Sequence, residues 1–358
     1  RRGVILQSEL AGATRISAEA VHPASTLDRL DALLREGLWQ PLAGSLGGLR
    51  RLHVVTHGSF HRLPLACGAP DGVSLSIYPG FVCYHRLHHP HDAEAVGPLA
   101  AGGLLGMAVH AAQGEPGLPA IPFVEAEAQI VRSLWPGEVQ SDPALAQAHP
   151  ALAALQLAGH GQVDPKDPAR AGLLLGSGML DLHAVLGAKQ RPAVVLLSAC
   201  TVGRTADDPD GEPLGLVGGF LLKGARIVIA SLQPVPDFYM PLLMALFHRS
   251  WRDGASPVEA LADAKRRLAQ GRWQEGVETL VRRSYRGVLV ETLAGAQREL
   301  PTSAGVDPLL VLTHAWLFPA RYRQLHPTRD GERLAELRAL VATPAEIFAR
   351  ADLIVKVK

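Results

Sequence analysis

Cysteine is scarce in this chain of 358 residues, where only Cys67, Cys83 and Cys200 occur. An odd and sparse set argues against a disulfide framework and favours a reducing compartment, so we expect a cytoplasmic protein. Neither sign of charge dominates, because 35 Lys and Arg residues face 34 Asp and Glu residues. This balance gives no electrostatic basis for direct binding to nucleic acid or to an anionic membrane surface.

Long apolar runs are also missing. No run reaches the length of a membrane span and no signal-peptide pattern is present, so we expect no membrane association. The chain begins at Arg1 rather than at Met, and we therefore expect it to be a fragment of a longer protein.

Apolar residues nevertheless make up 47% of the chain and charged residues 19%, so a substantial core can form. Short apolar runs without polar alternation are separated by segments with helical spacing and helix caps. The clearest cap is Ser256-Pro-Val-Glu259, a capping box with proline at the first helical position. This alternation predicts an α/β fold, with a mostly parallel central sheet covered by helices on both faces.

Two of the predicted strands are directly followed by residues whose side chains can take part in catalysis. Residues 194–199 form an apolar, β-branched run, and Cys200 follows directly. A second run, residues 155–158, is followed by Gly159, His160 and Gly161. Ligands of open α/β sheets bind at the carboxyl ends of the strands. A cysteine and a histidine at two such ends are the groups that a thiol hydrolase requires.

Each of these residues also has an ordinary structural interpretation. Cys200 alone is more typical of a small buried residue that ends a core strand than of a nucleophile. His160 alone is equally typical of a hydrogen-bonded loop histidine, and His57 stands in another strand–His–Gly context, where it competes as the base. Cys67 and Cys83 lie among apolar residues and are predicted to be structural.

Two further patterns are set aside. His88, His89 and His91 cluster in a segment that we interpret as a polar surface loop, because no second group of ligands with zinc spacing exists. Gly176-Ser-Gly178 lacks the strand–glycine–helix context and the lysine of a phosphate-binding loop. We therefore predict neither a metal nor a cofactor.

Taken together, the two strand-end motifs resemble the CHAT family, whose members are caspase-like peptidases in one clan with caspases and separases. The resemblance is carried by Leu157-Ala-Gly-His-Gly161 and by Leu196-Leu-Ser-Ala-Cys-Thr-Val-Gly203. Further similar segments are residues 54–65, 77–79, 118–126, 210–216 and 224–231, so that roughly residues 25–317 are covered. The family commonly has a tryptophan where Gln233 stands.

The resemblance implies a caspase-like three-layer sandwich. It implies a CHAT domain over residues 1–320, with a pseudo-peptidase-like half over residues 1–135 and a catalytic half over residues 136–320. Residues 321–358 would then form a C-terminal tail or helix. Members of the family commonly follow a sensor or helical-repeat domain, which is the partner expected upstream in the parent chain or complex.

For the chemistry, the resemblance implies that Cys200 is the nucleophile and His160 the proton-transfer group, acting on a protein or peptide substrate. The backbone N–H groups of Gly161 and Cys200 would form the oxyanion hole. The substrate pocket would lie between residues 231–237 and residues 207–212. The substrate-binding residues of this pocket are predicted to be Asp210, Glu212, Ser231 and Asp237.

The three carboxylates of this pocket predict a preference for Arg or Lys over Asp before the scissile bond, since a partly desolvated carboxylate attracts a cation strongly. An apolar residue is the alternative, because Leu232, Pro234 and Val235 can line the same pocket. Two other functions also remain open. One is a catalytically silent regulatory or protein-interaction module, and the other is a small-molecule hydrolase or transferase that uses Cys200.

Overall fold

The structure is a computed structural model of the chain. It describes residues 31–56, 60–61, 63–66, 68–70, 72–80, 84, 99, 103–110, 118, 121–137, 139–141, 152–162, 172–176, 178–203, 215–232, 235, 237–270, 272–285, 288 and 353–357.

The strands, in chain order, are short, and most of their residues are apolar. They are β1 (Arg51–Val55), β2 (Ser74–Tyr78), β3 (Leu104–Val109), β4 (Val139–Ser141), β5 (Leu152–Ala158), β6 (His160–Gln162), β7 (Gly172–Leu175), β8 (Gly178–Leu180), β9 (Val194–Ser198), β10 (Ile227–Ser231) and β11 (Leu353–Val357).

The helices alternate with these strands. They are α1 (Gln40–Leu46), α2 (Phe123–Leu134), α3 (Leu182–Gly187), α4 (Leu216–Leu222), α5 (Met240–Arg252) and α6 (Pro257–Ala269). A π-helical turn, Arg35–Trp39, precedes α1, and a 3-10 turn, Asp237–Tyr239, precedes α5. Residues 278–285 are also helical.

Within the described part of the chain, six strands form the main sheet in the order β11-β10-β9-β5-β3-β4. All neighbours are parallel except β11, which runs antiparallel to β10. Separate sheets pair β1 with β2 in parallel and join β6, β7 and β8 antiparallel. The predicted α/β fold with a mostly parallel sheet is therefore confirmed at this level.

Alternate residues of the central strands belong to two different hydrophobic cores. On β9, Leu196 belongs to the core that contains α2, α5 and α6, whereas Val195 belongs to the core that contains α4 and the β7–β8 hairpin. On β10, Ile229 and Val228 divide in the same way. Because successive side chains of a strand point to opposite faces, helices cover both faces of the sheet.

The capping box that starts α6 is present: the Ser256 hydroxyl accepts from Glu259 N–H, and the Glu259 carboxylate accepts from Ser256 N–H. The start of α4 was predicted wrongly at Pro213, because the helix begins at Leu216 after Gly215, whose backbone is extended.

Two other expectations are corrected. β1 is not a buried strand: Arg51, His53 and Val55 lie on its exposed side, while its other side packs on the small core around Leu34. Asp237 was expected to cap α5, but that helix has Tyr239 at its N-cap without a side-chain hydrogen bond.

The tail over residues 321–358, expected to be a C-terminal tail or helix, lies outside the described residues except for residues 353–357. Its residues 353–357 form β11, because this apolar, β-branched segment pairs with β10. The strands expected over residues 4–10 and 308–318 lie outside the described residues.

Candidate active site

The carboxyl ends of β5 and β9 meet at one edge of the main sheet. The register places Ala158 opposite Ser198, the last residue of each strand. The contact continues into the loops, where Gly159 N–H donates to the Ser198 carbonyl oxygen over 3.3 Å. The two residues that follow, His160 on one chain segment and Cys200 on the other, are therefore delivered to the same end of the sheet.

Glycine at position 161 allows these two loops to touch. A Cβ atom at this position would overlap the carbonyl oxygen of Cys200 and would lie 2.8 Å from Cγ1 of Val202. No other residue fits without moving the Cys200 backbone. His160 itself is half-buried on β6, where it stands opposite Leu174 of β7.

The thiol of Cys200 is half-buried and is held by the backbone of Val235. Its sulfur donates to the Val235 carbonyl oxygen over 3.5 Å and accepts from Val235 N–H over 3.3 Å. Burial raises the pKa of the Cys200 thiol, the hydrogen bond to Val235 opposes this change, and the negative charge of Asp237 adds to it. The resting group is therefore a thiol rather than a thiolate.

The residue after Cys200 has an unusual backbone. Thr201 has a φ of 56°, in the left-handed region that β-branched residues rarely adopt. Its hydroxyl donates to the Cys200 carbonyl oxygen over 2.8 Å, the same oxygen that lies against Gly161. The loop is also attached to β10, because Gly203 N–H donates to the Ser231 carbonyl oxygen over 2.8 Å.

The predicted substrate-binding residues have different surroundings. Ser231 is fully buried and contributes its carbonyl oxygen to the Gly203 contact. The half-buried Asp237 accepts from Phe123 N–H at the start of α2 over 2.8 Å. Asp210 and Glu212 lie outside the described residues, so the pocket stays a prediction.

His57, the alternative to His160 as the base, lies outside the described part of the chain. The same holds for the two cysteines predicted to be structural, Cys67 and Cys83, and for His88, His89 and His91. Among the residues that are described, no group of three or more His, Cys, Asp or Glu side chains could hold a metal ion. In the same part of the chain, none of the helices combines the length and the apolar character needed to cross a membrane.

Sequence reasoning missed a buried acidic residue behind the strand ends. Glu127 of α2 is fully buried, whereas its position in the sequence indicates only a carboxylate near a helix N-terminus, where the helix dipole favours negative charge. Its carboxylate accepts from Gln156 Nε2 of β5 over 2.5 Å and from Ser198 Oγ of β9 over 2.7 Å. The signal that could have found it is the presence of Gln156 and Ser198, two polar residues inside otherwise apolar strands.

The hydrogen bonds continue from Gln156 into α5. His248 Nε2 lies 2.6 Å from Gln156 Oε1, and Trp135 Nε1 donates to His248 Nδ1 over 3.0 Å. Burial raises the pKa of Glu127 to about 7 and lowers that of His248 to about 3. The imidazole is therefore neutral at physiological pH, and the carboxyl group titrates near neutrality.

Comparison with known proteins gives one family. None of the curated proteins matches the chain significantly. A family model described as the CHAT domain matches residues 28–322, which is most of the chain and includes both strand-end motifs. This range agrees with the resemblance read from the sequence, and the chain therefore belongs to the CHAT domain family.

Proposed function

We propose that this CHAT domain is a cysteine endopeptidase that cleaves peptide bonds with Cys200 as nucleophile and His160 as proton-transfer group. CHAT domains form a caspase-like, protease-related family. The observation that carries the proposal is the close fit of Gly161 against the Cys200 carbonyl oxygen. This fit brings the loop of the histidine against the loop of the cysteine at neighbouring strand ends.

The raised pKa of the Cys200 thiol supports a particular order of events. Because the resting sulfur carries its proton, attack on the substrate requires a base at the moment of reaction. His160 is the candidate base. Substrate binding must also release the sulfur from Val235, since both hydrogen bonds to that residue occupy the thiol.

In the first step, a bond forms between Sγ and the scissile carbonyl carbon while the thiol proton passes to His160. The carbonyl oxygen becomes an oxyanion, and the N–H groups of Gly161 and Cys200 are its proposed donors. The carbon–nitrogen bond then breaks, and the leaving amine takes the proton from His160. Water, deprotonated by His160, cleaves the resulting thioester and restores the thiol.

The residue before the scissile bond is proposed to be Arg or Lys, with Asp210, Glu212 and Asp237 as the attracting carboxylates. Of these, Asp237 also accepts a hydrogen bond from Phe123 N–H, which orients its carboxylate toward α2. The preference therefore depends mainly on Asp210 and Glu212. Ser231 supports the loop of the nucleophile through its backbone, and its proposed place is at the buried base of this pocket.

The finer architecture belongs to the same proposal. It comprises a caspase-like three-layer sandwich with a pseudo-peptidase-like N-terminal half and a catalytic C-terminal half. It also includes control by an upstream sensor or helical-repeat domain and a cytoplasmic location. The two cores on opposite faces of the sheet support the sandwich.

A catalytically silent regulatory module is the second candidate. It is favoured by one observation, the two hydrogen bonds between the Val235 backbone and the Cys200 sulfur. If these hydrogen bonds persist when a peptide is present, the thiol cannot attack it, and the domain transmits a signal only through its contacts with partner proteins.

A peptide-derived covalent probe and a peptide-library cleavage assay distinguish these functions. We expect Cys200→Ala and His160→Ala each to abolish cleavage and Cys200 labelling to be lost in the first variant. Both variants should keep the wild-type circular dichroism spectrum, because neither residue belongs to a hydrophobic core. His183→Ala is the matched control, since this histidine is exposed on α3, and it should retain full activity.

Cleavage by Cys200→Ala at the wild-type rate would refute the mechanism. The silent module would be favoured if the folded wild-type protein, joined to its parent chain, showed neither labelling of Cys200 by the probe nor cleavage of any library peptide. Cys67→Ala and Cys83→Ser should retain activity.

A further inference from the structure

One buried carboxylate joins β5 and β9, the two strands that directly precede His160 and Cys200. Glu127 has no exposed surface, and its two oxygens have separate partners on β5 and β9. Gln156 lies two residues before the end of β5, and Ser198 is the last residue of β9. Gln156 and Ala158 point to one face of the sheet, and Ser198 stands opposite Ala158. Glu127 therefore bridges β5 and β9 just before the two loops begin.

The indole of Trp135 sets the direction of the hydrogen bonds that run from it to Glu127. The Trp135 indole can only donate, so Nδ1 of His248 accepts and Nε2 carries the proton. His248 Nε2–H then donates to Gln156 Oε1, which leaves Gln156 Nε2 to donate to Glu127. The Gln156 amide and the Ser198 hydroxyl can therefore both donate to the carboxylate, so its ionised form, which prevails at pH 8, has a donor for each oxygen. Consecutive bonds of this kind polarise and strengthen one another.

We propose that Glu127 is a positioning residue for the Cys200–His160 pair, acting through Ser198 at the end of β9, just before the cysteine, and through Gln156 on β5, just before the histidine. The inference rests on the proposed function, since it assigns a supporting role at the same site. Glu127 touches neither the substrate nor the reacting atoms. Its charged hydrogen bonds hold the ends of β5 and β9 at one separation, and this separation sets the distance between the loops.

A purely structural role is a poor explanation for this carboxylate. An ionised group without solvent is costly to bury, and apolar residues of similar volume often stabilise a fold as well or better. The raised pKa of Glu127 reflects this cost. If Glu127 serves positioning, its neutral isostere should preserve or raise stability while it lowers reactivity at Cys200. A structural role predicts that both properties fall together.

The test variant is Glu127→Gln at pH 8. The glutamine can accept from Gln156 Nε2 and donate to Ser198 Oγ, so the shape is kept and the charge-assisted bonds are lost. We measure the alkylation rate of Cys200 with iodoacetamide by mass spectrometry of its peptide, together with kcat and KM on a cleaved peptide. We expect alkylation and kcat to fall about tenfold with KM within about twofold, because small misplacements of reacting groups are expensive. The melting temperature should be no lower than that of the wild type.

The matched control is Glu125→Gln, a carboxylate on the same helix that is only half-buried and contacts neither strand partner in this network. It should leave alkylation, kcat and KM unchanged. Ser198→Ala removes the donor on β9 alone, and it should reproduce the loss of reactivity. A wild-type alkylation rate and kcat in Glu127→Gln would overturn the proposal, as would a parallel loss of stability and reactivity.

This design separates failure of the inference from failure of the peptidase mechanism. Alkylation by iodoacetamide reports the accessibility and ionisation of the Cys200 thiol without any peptide cleavage. If the wild type cleaves no peptide but Glu127→Gln still slows alkylation, positioning holds and the peptidase assignment is wrong. If the wild type cleaves peptide and Glu127→Gln does so equally well, the peptidase assignment holds and positioning is wrong.

Discussion

At the scale of single residues, the loop of the nucleophile depends on backbone conformations that side chains normally resist. Thr201 occupies the left-handed region with a φ of 56°. A β-branched residue pays about 1–2 kcal/mol for this conformation. The hydroxyl of Thr201 offsets part of this cost by donating to the Cys200 carbonyl oxygen. The same oxygen lies against Gly161, where only a glycine leaves enough space.

We predict that Thr201→Gly is more stable than Thr201→Val. At most positions the glycine variant would be the less stable of the two, because glycine loses more conformational freedom on folding. Glycine loses the hydrogen bond but relieves the left-handed strain, so its stability should stay within about 1 kcal/mol of the wild type. Valine keeps the strain and loses the bond, and it should be less stable by about 1–2 kcal/mol. Urea unfolding of the three proteins measures these differences. A valine variant as stable as the glycine variant would show that the backbone of Thr201 is unstrained.

At the scale of elements, Asp237 links the segment after β10 to the start of α2. Its side chain accepts from Phe123 N–H, one of the N–H groups that the helix itself leaves without an acceptor. Phe123 is buried against Tyr285, with ring centroids 4.9 Å apart, so this end of the helix is fixed in the core. Asp237 therefore has a capping role in addition to its proposed place at the substrate pocket.

Two substitutions separate these roles. Asp237→Asn keeps a good capping side chain and removes the charge, so stability should change by less than about 0.5 kcal/mol. Cleavage after Arg or Lys should weaken relative to cleavage after apolar residues. Asp237→Ala removes the cap as well, and it should cost about 1 kcal/mol in the free energy of unfolding.

Thermal unfolding and a peptide library with varied residues before the scissile bond provide the measurements. Unchanged specificity in Asp237→Asn would limit this residue to capping. Strong cleavage after Asp by the wild type would contradict the predicted Arg or Lys preference altogether.

At the scale of the whole molecule, a series of buried, hydrogen-bonded polar side chains runs from Trp135 to Ser198. It crosses the larger of the two cores that lie on the faces of the main sheet. It connects α2, α5, β5 and β9, which otherwise contact one another through apolar side chains. Tyr285 also lies near this region, and burial raises its pKa well above the ordinary value, with smaller contributions from Asp237 and Glu127. The core is therefore a place where protonation and folding are coupled.

We predict that Glu127 makes folding pH-dependent. Its pKa is raised from 4.5 to about 7 in the folded protein. The stability that it contributes is therefore complete below pH 4.5 and is lost as pH rises through 7. This loss is at most about 3 kcal/mol. Urea unfolding of wild type and Glu127→Gln between pH 5 and 8 should show the variant gaining relative stability as pH rises. Glu125→Gln should follow the wild type, and a constant gap for Glu127→Gln would contradict the prediction.

The pKa shift of His248 makes stability depend on pH in the opposite direction. Its pKa is lowered to about 3 in the folded protein from an ordinary 6.5. Its contribution is complete above pH 6.5 and is lost as pH falls toward 3. Both the wild type and Glu127→Gln should therefore lose stability from this residue below pH 6.5. Their difference isolates Glu127.

Much of the fold could be predicted from local patterns. The strands β2, β3, β9 and β10 and the helices α2 and α6 follow from apolar runs and caps, because hydrophobic periodicity and capping are local properties. The family motifs around His160 and Cys200 are local as well. The start of α4 at Leu216 and the strand β11 could not be predicted in this way, since no side-chain cap marks the start of α4 and the pairing of β11 with β10 joins segments far apart in the chain.

By itself, the sequence determined that Cys200 and His160 follow two apolar strands and that small residues surround them, because these are properties of neighbours along the chain. Only the tertiary structure decided what lies behind and beside them. Glu127 reaches Gln156 and Ser198, and Val235 reaches the Cys200 sulfur, through contacts between segments far apart in the chain. Hydrogen bonds and burial depend on distances in space, and parallel strands with long crossovers leave no trace of these distances in local spacing.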